Sequence, residues 1–371
     1  MKIENFEMER YQSIWENRVK YNLTESGVHP YSLDEFLSEK EKKELLELRL
    51  GYGHTNGSEE LRKTISRLYQ GADKGNVLVT TGSAEANFLT VWSQLEPEDE
   101  LILMLPNYMQ IWGLARSFGV HIKPLYLKED LDWAPDLNDL EALISEKTRM
   151  IAVCNPNNPT GAVLSEKAME EIAFLAKKHD LWIFADEVYR GSELSGRETP
   201  SFWGMTDKVI VSCGLSKSYA FPGLRLGWIL SPEAVTEQIW AYHDYTTISS
   251  SIFSNYIADL ILQPVRRKSV LDRTRALLNM NLKSLDKWIA AHKDFFQFVP
   301  PKAGAITFIR YSMDINSTDW MMKLIEDKSV FVVAGDCFGM DCFIRIGIGT
   351  EPSHFSTALG CIAQTMDVFR T

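Results

Sequence analysis

Ser212–Trp228 reads SCGLSKSYAFPGLRLGW, and this stretch decides how the rest of the chain is interpreted. Lys217 follows an apolar run, Val209–Ser212, and Arg225 stands eight positions further along in a glycine-flanked segment. Burial at the end of a strand removes water from an amine, which lowers its pKa and frees its lone pair. The stretch therefore predicts that Lys217 attacks a carbonyl group and that Arg225 binds an anion such as phosphate. A lone loop lysine is more often a surface residue, so the neighbouring motifs have to decide.

Composition restricts the classes of partner. The 371 residues are 45% hydrophobic and carry a net charge of −11, so a substantial core is expected, without a basic face for nucleic acid or anionic lipid. No run approaches the roughly 18 apolar residues of a membrane span. Five cysteines, an odd number without a CxxC pair, indicate a reducing compartment, by default the cytoplasm, and no metal site. Small-molecule chemistry is favoured.

From Val77 onward, short apolar runs alternate with helix-like runs. This alternation predicts an α/β fold, a mainly parallel sheet covered by helices, with ligands bound beyond the carboxyl ends of the strands. The predicted strands are Val77–Thr80, Leu101–Leu105, His121–Leu125, Met150–Cys154, Leu181–Ala185, Val209–Ser212 and Leu226–Leu230.

Polar motifs follow several of these runs. Thr81–Ala86 precedes a helix-like run, so the free amides of Ser83 and Ala84 are candidates to bind a phosphate. Asn155–Gly161 reads NPNNPTG, in which two prolines and a glycine predict a rigid turn. Asp186 directly follows a buried run and serves either as a helix N-cap or as a functional carboxylate.

The remainder predicts a second, smaller domain. Residues 1–35 are interpreted as an arm laid over the body and belonging to that domain, residues 36–264 as the large domain, and residues 265–371 as the small α+β domain. The predicted helices are Leu33–Leu48, most of Pro232–Leu262, Val265–Lys293, Thr318–Asp327 and Pro352–Phe369, and the predicted strands are Ala303–Tyr311, Val330–Val333 and Cys342–Ile348.

In order along residues 50 to 350, the motifs resemble those of fold-type I pyridoxal-phosphate enzymes, specifically the class I/II aminotransferases. They are Tyr52 with Gly57 and Glu60–Arg62, Pro106–Tyr108, the NPNNPTG turn, Asp186–Tyr189, the lysine stretch and Phe343–Gly347. The resemblance implies an aspartate aminotransferase-like fold with a seven-stranded-type, mainly parallel sheet in the large domain. It also implies a homodimer with shared active sites.

The resemblance assigns the cofactor, pyridoxal 5′-phosphate, to residues of this chain. Lys217 would hold it as a Schiff base, Asp186 would pair with the pyridine nitrogen, and Tyr108 would stack on the ring. Asn158 and Tyr189 would contact the phenolic oxygen; Asn158 would also contact the substrate, and Tyr189 would count with Lys217 and Asp186 among the catalytic residues. The phosphate would be bound by Ser83, Ala84, Ser216, Arg225 and, from the neighbouring subunit, Tyr52.

One position departs from the family pattern. Gly214 stands where many members have serine or threonine against the phosphate, and Ser216 or Ser212 is the candidate to replace it. Arg345, inside an apolar run, would grip the α-carboxylate of an amino acid or 2-oxo acid. The implied reaction is transamination, with Lys217 moving a proton between the substrate and the cofactor.

Other interpretations stay open. Ser26–His29 and the short arm are similar to capreomycidine synthase-like members, so β-elimination with ring closure, or a C–S lyase reaction, is the runner-up. In that reading Gly27 and His29 contact substrate. An effector domain of a transcription regulator is disfavoured, because no DNA-binding segment or basic patch precedes the fold. Gly51–Gly57 has GxGxxxG spacing after a helix-like run, which argues against a dinucleotide site.

Overall fold

The computed structural model describes residues 3–366 of the chain. Its helices are α1 Glu7–Trp15, α2 Leu33–Phe36, α3 Glu39–Leu46, α4 Glu59–Ser66, α5 Ser83–Gln94, α6 Gln110–Ser117, α7 Leu137–Leu143, α8 Glu166–Lys178, α9 Glu233–His243, α10 Ile252–Leu262, α11 Pro264–Ala291, α12 Ser317–Lys328 and α13 Pro352–Thr365. Its strands are β1 Tyr21–Asn22, β2 Val77–Thr80, β3 Glu100–Leu105, β4 His121–Lys128, β5 Ala134–Pro135, β6 Thr148–Cys154, β7 Trp182–Asp186, β8 Val209–Gly214, β9 Gly227–Leu230, β10 Phe296–Phe298, β11 Ile306–Tyr311, β12 Val330–Phe331, β13 Val333–Ala334 and β14 Phe343–Gly347.

The large sheet has eight strands in the order β2-β9-β8-β7-β6-β3-β4-β5. The pairs from β8 through β4 are parallel, whereas β9 is antiparallel to both β2 and β8. The predicted mainly parallel sheet is therefore confirmed, and its seven predicted strands all form. The eighth strand, β5, is only two residues long and pairs with β4.

Helices cover both faces of this sheet, which is why its strands are apolar on both sides. On one face, Leu78, Leu103 and Phe184 pack with buried residues of α5, α6 and α9. On the other face, Val79 and Val211 belong to a larger core with residues of α8, α10 and α11. The strand ends are thereby held in fixed positions.

A smaller sheet, β10-β11-β14-β13, is antiparallel throughout. The N-terminal arm is tied to this part of the molecule: β1 pairs in parallel with β12, and Leu23 O accepts from the Gly347 amide at 2.7 Å. The predicted boundaries at 35/36 and 264/265 stay a prediction.

Three predicted elements differ in the structure. The single helix over Leu33–Leu48 is wrong: Ser38 caps the start of α3 through a capping box, so α2 and α3 are separate. The Pro232–Leu262 segment forms two helices, α9 and α10. The predicted Val330–Val333 strand divides into β12 and β13.

The predicted Pro352–Phe369 helix is observed as α13, and its last predicted residues lie outside the described part of the chain. Between residues 3 and 366, no helix combines the length and apolarity needed to cross a membrane.

Candidate active site

Six strands, β2, β3, β4, β6, β7 and β8, end at one edge of the large sheet, and β9 starts there because it runs the opposite way. A cavity of about 320 Å³ lies at this edge. Ten predicted site residues line it: Ser83, Ala84, Tyr108, Asn158, Asp186, Tyr189, Ser216, Lys217, Arg225 and Arg345. The ends of these strands and the segments after them, together with Arg345 on β14 of the smaller sheet, bring together residues that are up to 262 positions apart in sequence.

Lys217 follows β8 by three residues and extends into the cavity. Loss of water around its side chain, the largest effect, lowers the pKa of this amine; Arg345 and Arg225 act in the same direction, while the carboxylates of Glu25 and Glu9 oppose it. The lowered pKa favours a neutral amine, the form that attacks a carbonyl group or accepts a proton.

Asp186 is the last residue of β7 and is buried below the cavity. Its carboxylate accepts from the Val188 amide at 3.1 Å and, more weakly, from Asn87 Nδ2 at 3.4 Å. Burial outweighs both hydrogen bonds and raises the pKa of Asp186 to about 6. A cationic group placed against this carboxylate would restore its charged form.

Asn158, Tyr189 and Arg345 form a connected group on another wall. Asn158 Nδ2 donates to Tyr189 Oη at 3.1 Å, and Arg345 Nη1 donates to Asn158 Oδ1 at 3.0 Å. The second Arg345 nitrogen, Nη2, donates to the Thr24 carbonyl at 2.6 Å. Burial raises the pKa of the Tyr189 hydroxyl, so it stays a hydrogen-bond donor at neutral pH.

Arg345 is 1% exposed in the middle of β14, and its Nε is buried without a hydrogen-bond partner. Within the described residues no carboxylate lies within 4.0 Å of its guanidinium. Burying an unpaired guanidinium is costly, and burial lowers its pKa accordingly. The geometry is that of a cation prepared for an anionic ligand.

The opposite end of the cavity can bind a second anion. Ser83 and Ala84 open α5, which has no side-chain cap, so their amides are free for a ligand. Arg225, just before β9, donates from Nη1 to Ser216 Oγ at 3.4 Å and to the Pro222 carbonyl at 3.1 Å. Backbone amides, a hydroxyl and a guanidinium together form a suitable site for a phosphate.

Close backbone contacts explain why position 214 is a glycine. A Cβ added to Gly214 would lie 3.0 Å from the Leu226 carbonyl oxygen and 3.2 Å from Gly227 Cα, so a serine or threonine needs the backbone to shift. Ser216 lines the cavity, whereas Ser212 is fully buried and donates to Asn87 Oδ1 at 2.8 Å. Of the two candidates to replace the missing hydroxyl, only Ser216 reaches the cavity.

The sequence did not predict the roof of the cavity, which α1 provides. Met8, Glu9 and Gln12 line it, and Glu9 Oε1 accepts from Tyr108 Oη at 2.8 Å. The Phe6 ring packs edge-on against Tyr108, with ring centres 4.9 Å apart. Helical spacing places Met8, Glu9 and Gln12 on one side of α1, but it does not indicate that this side covers the cavity.

Five further residues of the cavity wall were missed as well: Asn87, Ser26, Cys154, Val188 and Pro222. Asn87 lies one helical turn after Ser83 on α5, and this spacing places both on the same side of the helix.

Three predicted residues lie outside the cavity wall. Tyr52 is 90% exposed on the surface of the protomer. His29 Nε2 lies 3.3 Å from Glu351 Oε1, with both side chains about half exposed. Gly27 is buried behind the wall, where an added Cβ would lie 3.0 Å from the Ser216 carbonyl oxygen. The structure gives no support to substrate contact by His29.

Comparison with known proteins agrees with this geometry. The model of the family "Aminotransferase class I and II" matches residues 25–361. Capreomycidine synthase of Streptomyces vinaceus is 28% identical over 94% of this chain and 90% of its own length. Aromatic-amino-acid aminotransferase 2 of Thermococcus litoralis is 28% identical over 92% of this chain and 88% of its own. A solved structure, a PLP-dependent aminotransferase from Streptococcus suis 89-1591, is 31% identical with a TM-score of 0.94, and the match covers 100% of both chains.

Proposed function

We propose that this chain, which belongs to the class I and II aminotransferase family and has pyridoxal 5′-phosphate as its cofactor, transfers the amino group of an amino acid to a 2-oxo acid. One observation carries the proposal: Lys217, Asp186 and Arg345 line the same cavity. They supply an amine of lowered pKa, a buried carboxylate and an unpaired buried cation. These are the groups needed to hold the cofactor and the carboxylate of an amino acid.

The residues present fit the cofactor. Its phosphate matches the site formed by Ser83, Ala84, Ser216 and Arg225, and its pyridinium nitrogen matches the carboxylate of Asp186, whose raised pKa reflects burial without a cation. Gly82 leaves room at the phosphate end, because a Cβ there would lie 2.6 Å from Arg225 Nη2. When bound, the cofactor supplies an electron sink that acidifies the α-hydrogen of the amino acid.

The side chains of the cavity wall have separate roles in the proposed reaction. Arg345 orients the substrate through its α-carboxylate, which fixes the α-hydrogen relative to Lys217. Lys217, freed by the substrate amine, is the base near the α-carbon and returns the proton as an acid. Asn158 and Tyr189 direct hydrogen-bond donors at the cofactor's phenolic oxygen, and α1 limits access of water.

The runner-up is β-elimination with ring closure, and the similarity to the Streptomyces vinaceus capreomycidine synthase favours keeping it. Elimination needs a group that assists a leaving group at the β-carbon. His29, the arm residue nominated for that task, lies outside the cavity wall and pairs with Glu351. Transamination needs a proton transfer between the α-carbon of the substrate and a carbon of the cofactor, and Lys217 can perform this transfer without a second residue. This difference supports transamination.

A single-turnover experiment tests the reaction type. With an amino acid and no 2-oxo acid, we expect one equivalent of 2-oxo acid per site and retention of the amino group on the enzyme. Adding a second 2-oxo acid should then release a new amino acid. Multiple-turnover release of ammonia with pyruvate, or of a cyclic amino acid, would contradict transamination and favour the runner-up.

We further propose the domain boundaries given above, a homodimer with shared sites, and a cytoplasmic location. The exposure of Tyr52, together with Leu46 at 86% and Leu50 at 75%, supports an apolar contact surface beside the proposed shared residue. Cys154, Cys213, Cys337, Cys342 and Cys361 are all free thiols, which supports a reducing compartment.

A further inference from the structure

The roof of the cavity carries a carboxylate without a cationic partner. Glu9, on α1, is half-buried and lines the cavity together with Gln12. Tyr108 Oη occupies only Oε1 of Glu9, and no lysine, arginine or histidine among residues 3–366 lies within 4.0 Å of this carboxylate. The second oxygen is therefore available to a ligand.

Two further carboxylates, Glu16 and Glu25, lie near Glu9 but outside the cavity wall. Burial, with the nearby carboxylates of Glu25 and Glu9, raises the pKa of Glu16 at the end of α1. None of these three carboxylates forms an ion pair with a described residue. Gln12 donates from Nε2 to Thr24 at 3.1 Å, which leaves the Gln12 side-chain oxygen as a further acceptor.

The rest of the cavity determines which part of a substrate meets this wall. Lys217 and the phosphate site position the cofactor and hence the α-amine, and Arg345 takes the α-carboxylate. Those two anchors leave the amino acid side chain as the part that reaches Glu9. Arg345 is nine-tenths buried or more with an unpartnered Nε, which prepares it for an anion, and Glu9 lines the same cavity.

Given the proposed function, we infer that Glu9 selects amino acids whose side chain ends in a cation, an ammonium or a guanidinium group. A cation at the end of the side chain would pair with Glu9, and its remaining hydrogens would face the Gln12 oxygen. A second carboxylate in the same place would be repelled by Glu9. The cations of the described cavity wall, Lys217, Arg225 and Arg345, already have other tasks and would not pair with it. A neutral side chain would leave Glu9 half-desolvated and unpaired.

Equilibrium binding of unreactive ligands tests this inference without turnover. We would measure, by calorimetry on the cofactor-loaded protein, 5-guanidinopentanoate, hexanoate and adipate, which share one carboxylate and differ at the far end. We expect the cationic ligand to bind most tightly and the dianion most weakly. Glu9→Gln keeps an acceptor for Tyr108 but removes the charge, and it should weaken binding of 5-guanidinopentanoate by about tenfold or more.

Glu7→Gln is the matched control. Glu7 lies on the same helix, is exposed and is not part of the cavity wall, so the same loss of charge should leave all three affinities within about twofold. Hexanoate or adipate binding as tightly as the guanidino ligand, or an unchanged preference in Glu9→Gln, would overturn the inference.

The amino acids themselves separate this inference from the proposed reaction. Lysine, ornithine and arginine should have higher kcat/KM than norleucine and glutamate. If cationic amino acids are preferred but yield ammonia or a cyclic product, the inference stands and transamination fails. If transamination proceeds with neutral or acidic amino acids in preference, the reaction stands and the role of Glu9 is wrong.

Discussion

At the scale of single residues, the chemistry depends on Lys217 more than on any other side chain. We predict that Lys217→Ala abolishes covalent attachment of the cofactor without unfolding the chain, because its side chain lines an open cavity rather than the core. Borohydride reduction followed by peptide mapping should place the label on Lys217. Lys208→Ala, at an exposed pair with Asp180, is the control and should label normally. A label on another lysine of the wild-type protein would contradict the assignment of Lys217 as the cofactor-binding lysine.

Asp186 gives a prediction about pH. Its pKa rises from 3.8 to about 6 on folding, so the folded state prefers the protonated form. Below pH 4 the carboxyl group is protonated in both the folded and the unfolded state, so its burial does not lower the free energy of unfolding. As the pH rises from about 4 to 6, the unfolded state loses this proton while the folded state keeps it, and the free energy of unfolding falls. The full penalty, roughly 3 kcal/mol, then applies above pH 6 in the cofactor-free protein.

Asp186→Asn should remove that dependence. The melting temperature of the cofactor-free variant, relative to wild type, should rise between pH 4 and pH 6 and level off above it. Asp207→Asn, at an exposed position, should run parallel to wild type at every pH. A difference between Asp186→Asn and wild type that does not vary with pH would refute the burial explanation.

At the scale of elements, the anion site at the start of α5 depends on Gly82, the residue directly before the helix. Its φ of +83° is one that side chains rarely adopt, and an added Cβ would also displace Arg225. With a ψ of 164° the residue lies in a region that only glycine adopts readily, so we predict that Gly82→Ala costs about 1–3 kcal/mol of folding free energy from the backbone alone. Because Arg225 must move as well, cofactor affinity in an absorbance titration should fall by about tenfold or more.

Gly71→Ala separates the two effects. Gly71 has a similar φ of +79°, but nothing lies within 4 Å of its added Cβ. This variant should also lose stability through backbone strain, but it should keep its cofactor affinity. Equal affinity losses in both variants would mean that general strain, rather than the displaced arginine, weakens the site.

The elements also show what the sequence could predict. Most strands of the large sheet were predictable because burial on both faces makes them continuous apolar runs, and the residues after those runs became part of the cavity wall. The exception is β4, which is partly exposed. The break at Ser38 could have been found from its serine and Glu41, the pattern of a capping box. Glu9 could not: an amphipathic helix of nine residues indicates a buried face but not which cavity that face covers.

At the scale of the whole molecule, the proposed homodimer explains why Tyr52 is so exposed in one protomer. We predict that light scattering will show a dimer. We also predict that two defective variants will complement each other when they are mixed. Lys217→Ala and Tyr52→Ala subunits should each be impaired alone, because each lacks one half of a shared site. A mixed dimer would contain one intact site, so random reassociation should restore about a quarter of the sites.

Tyr245→Ala provides the matched control for this mixing. Tyr245 is similarly exposed, at 84%, but has no proposed role at the site. When Tyr245→Ala subunits are mixed with Lys217→Ala subunits, the activity should be that of the sites whose Lys217 comes from the Tyr245→Ala subunits. A monomer with full activity, or no gain on mixing the first pair, would exclude a shared site.

The pairing of the arm with β12 has a consequence for the order of events during synthesis. Lys20 and Ser329, joined by a 2.7 Å hydrogen bond, are 309 positions apart, so the arm leaves the ribosome long before its partner strand exists. The large sheet, complete by Leu230, can form first. The pairing of β1 with β12 can therefore form only when translation is nearly finished, whereas α1 can contact Tyr108 through Phe6 and Glu9 much earlier.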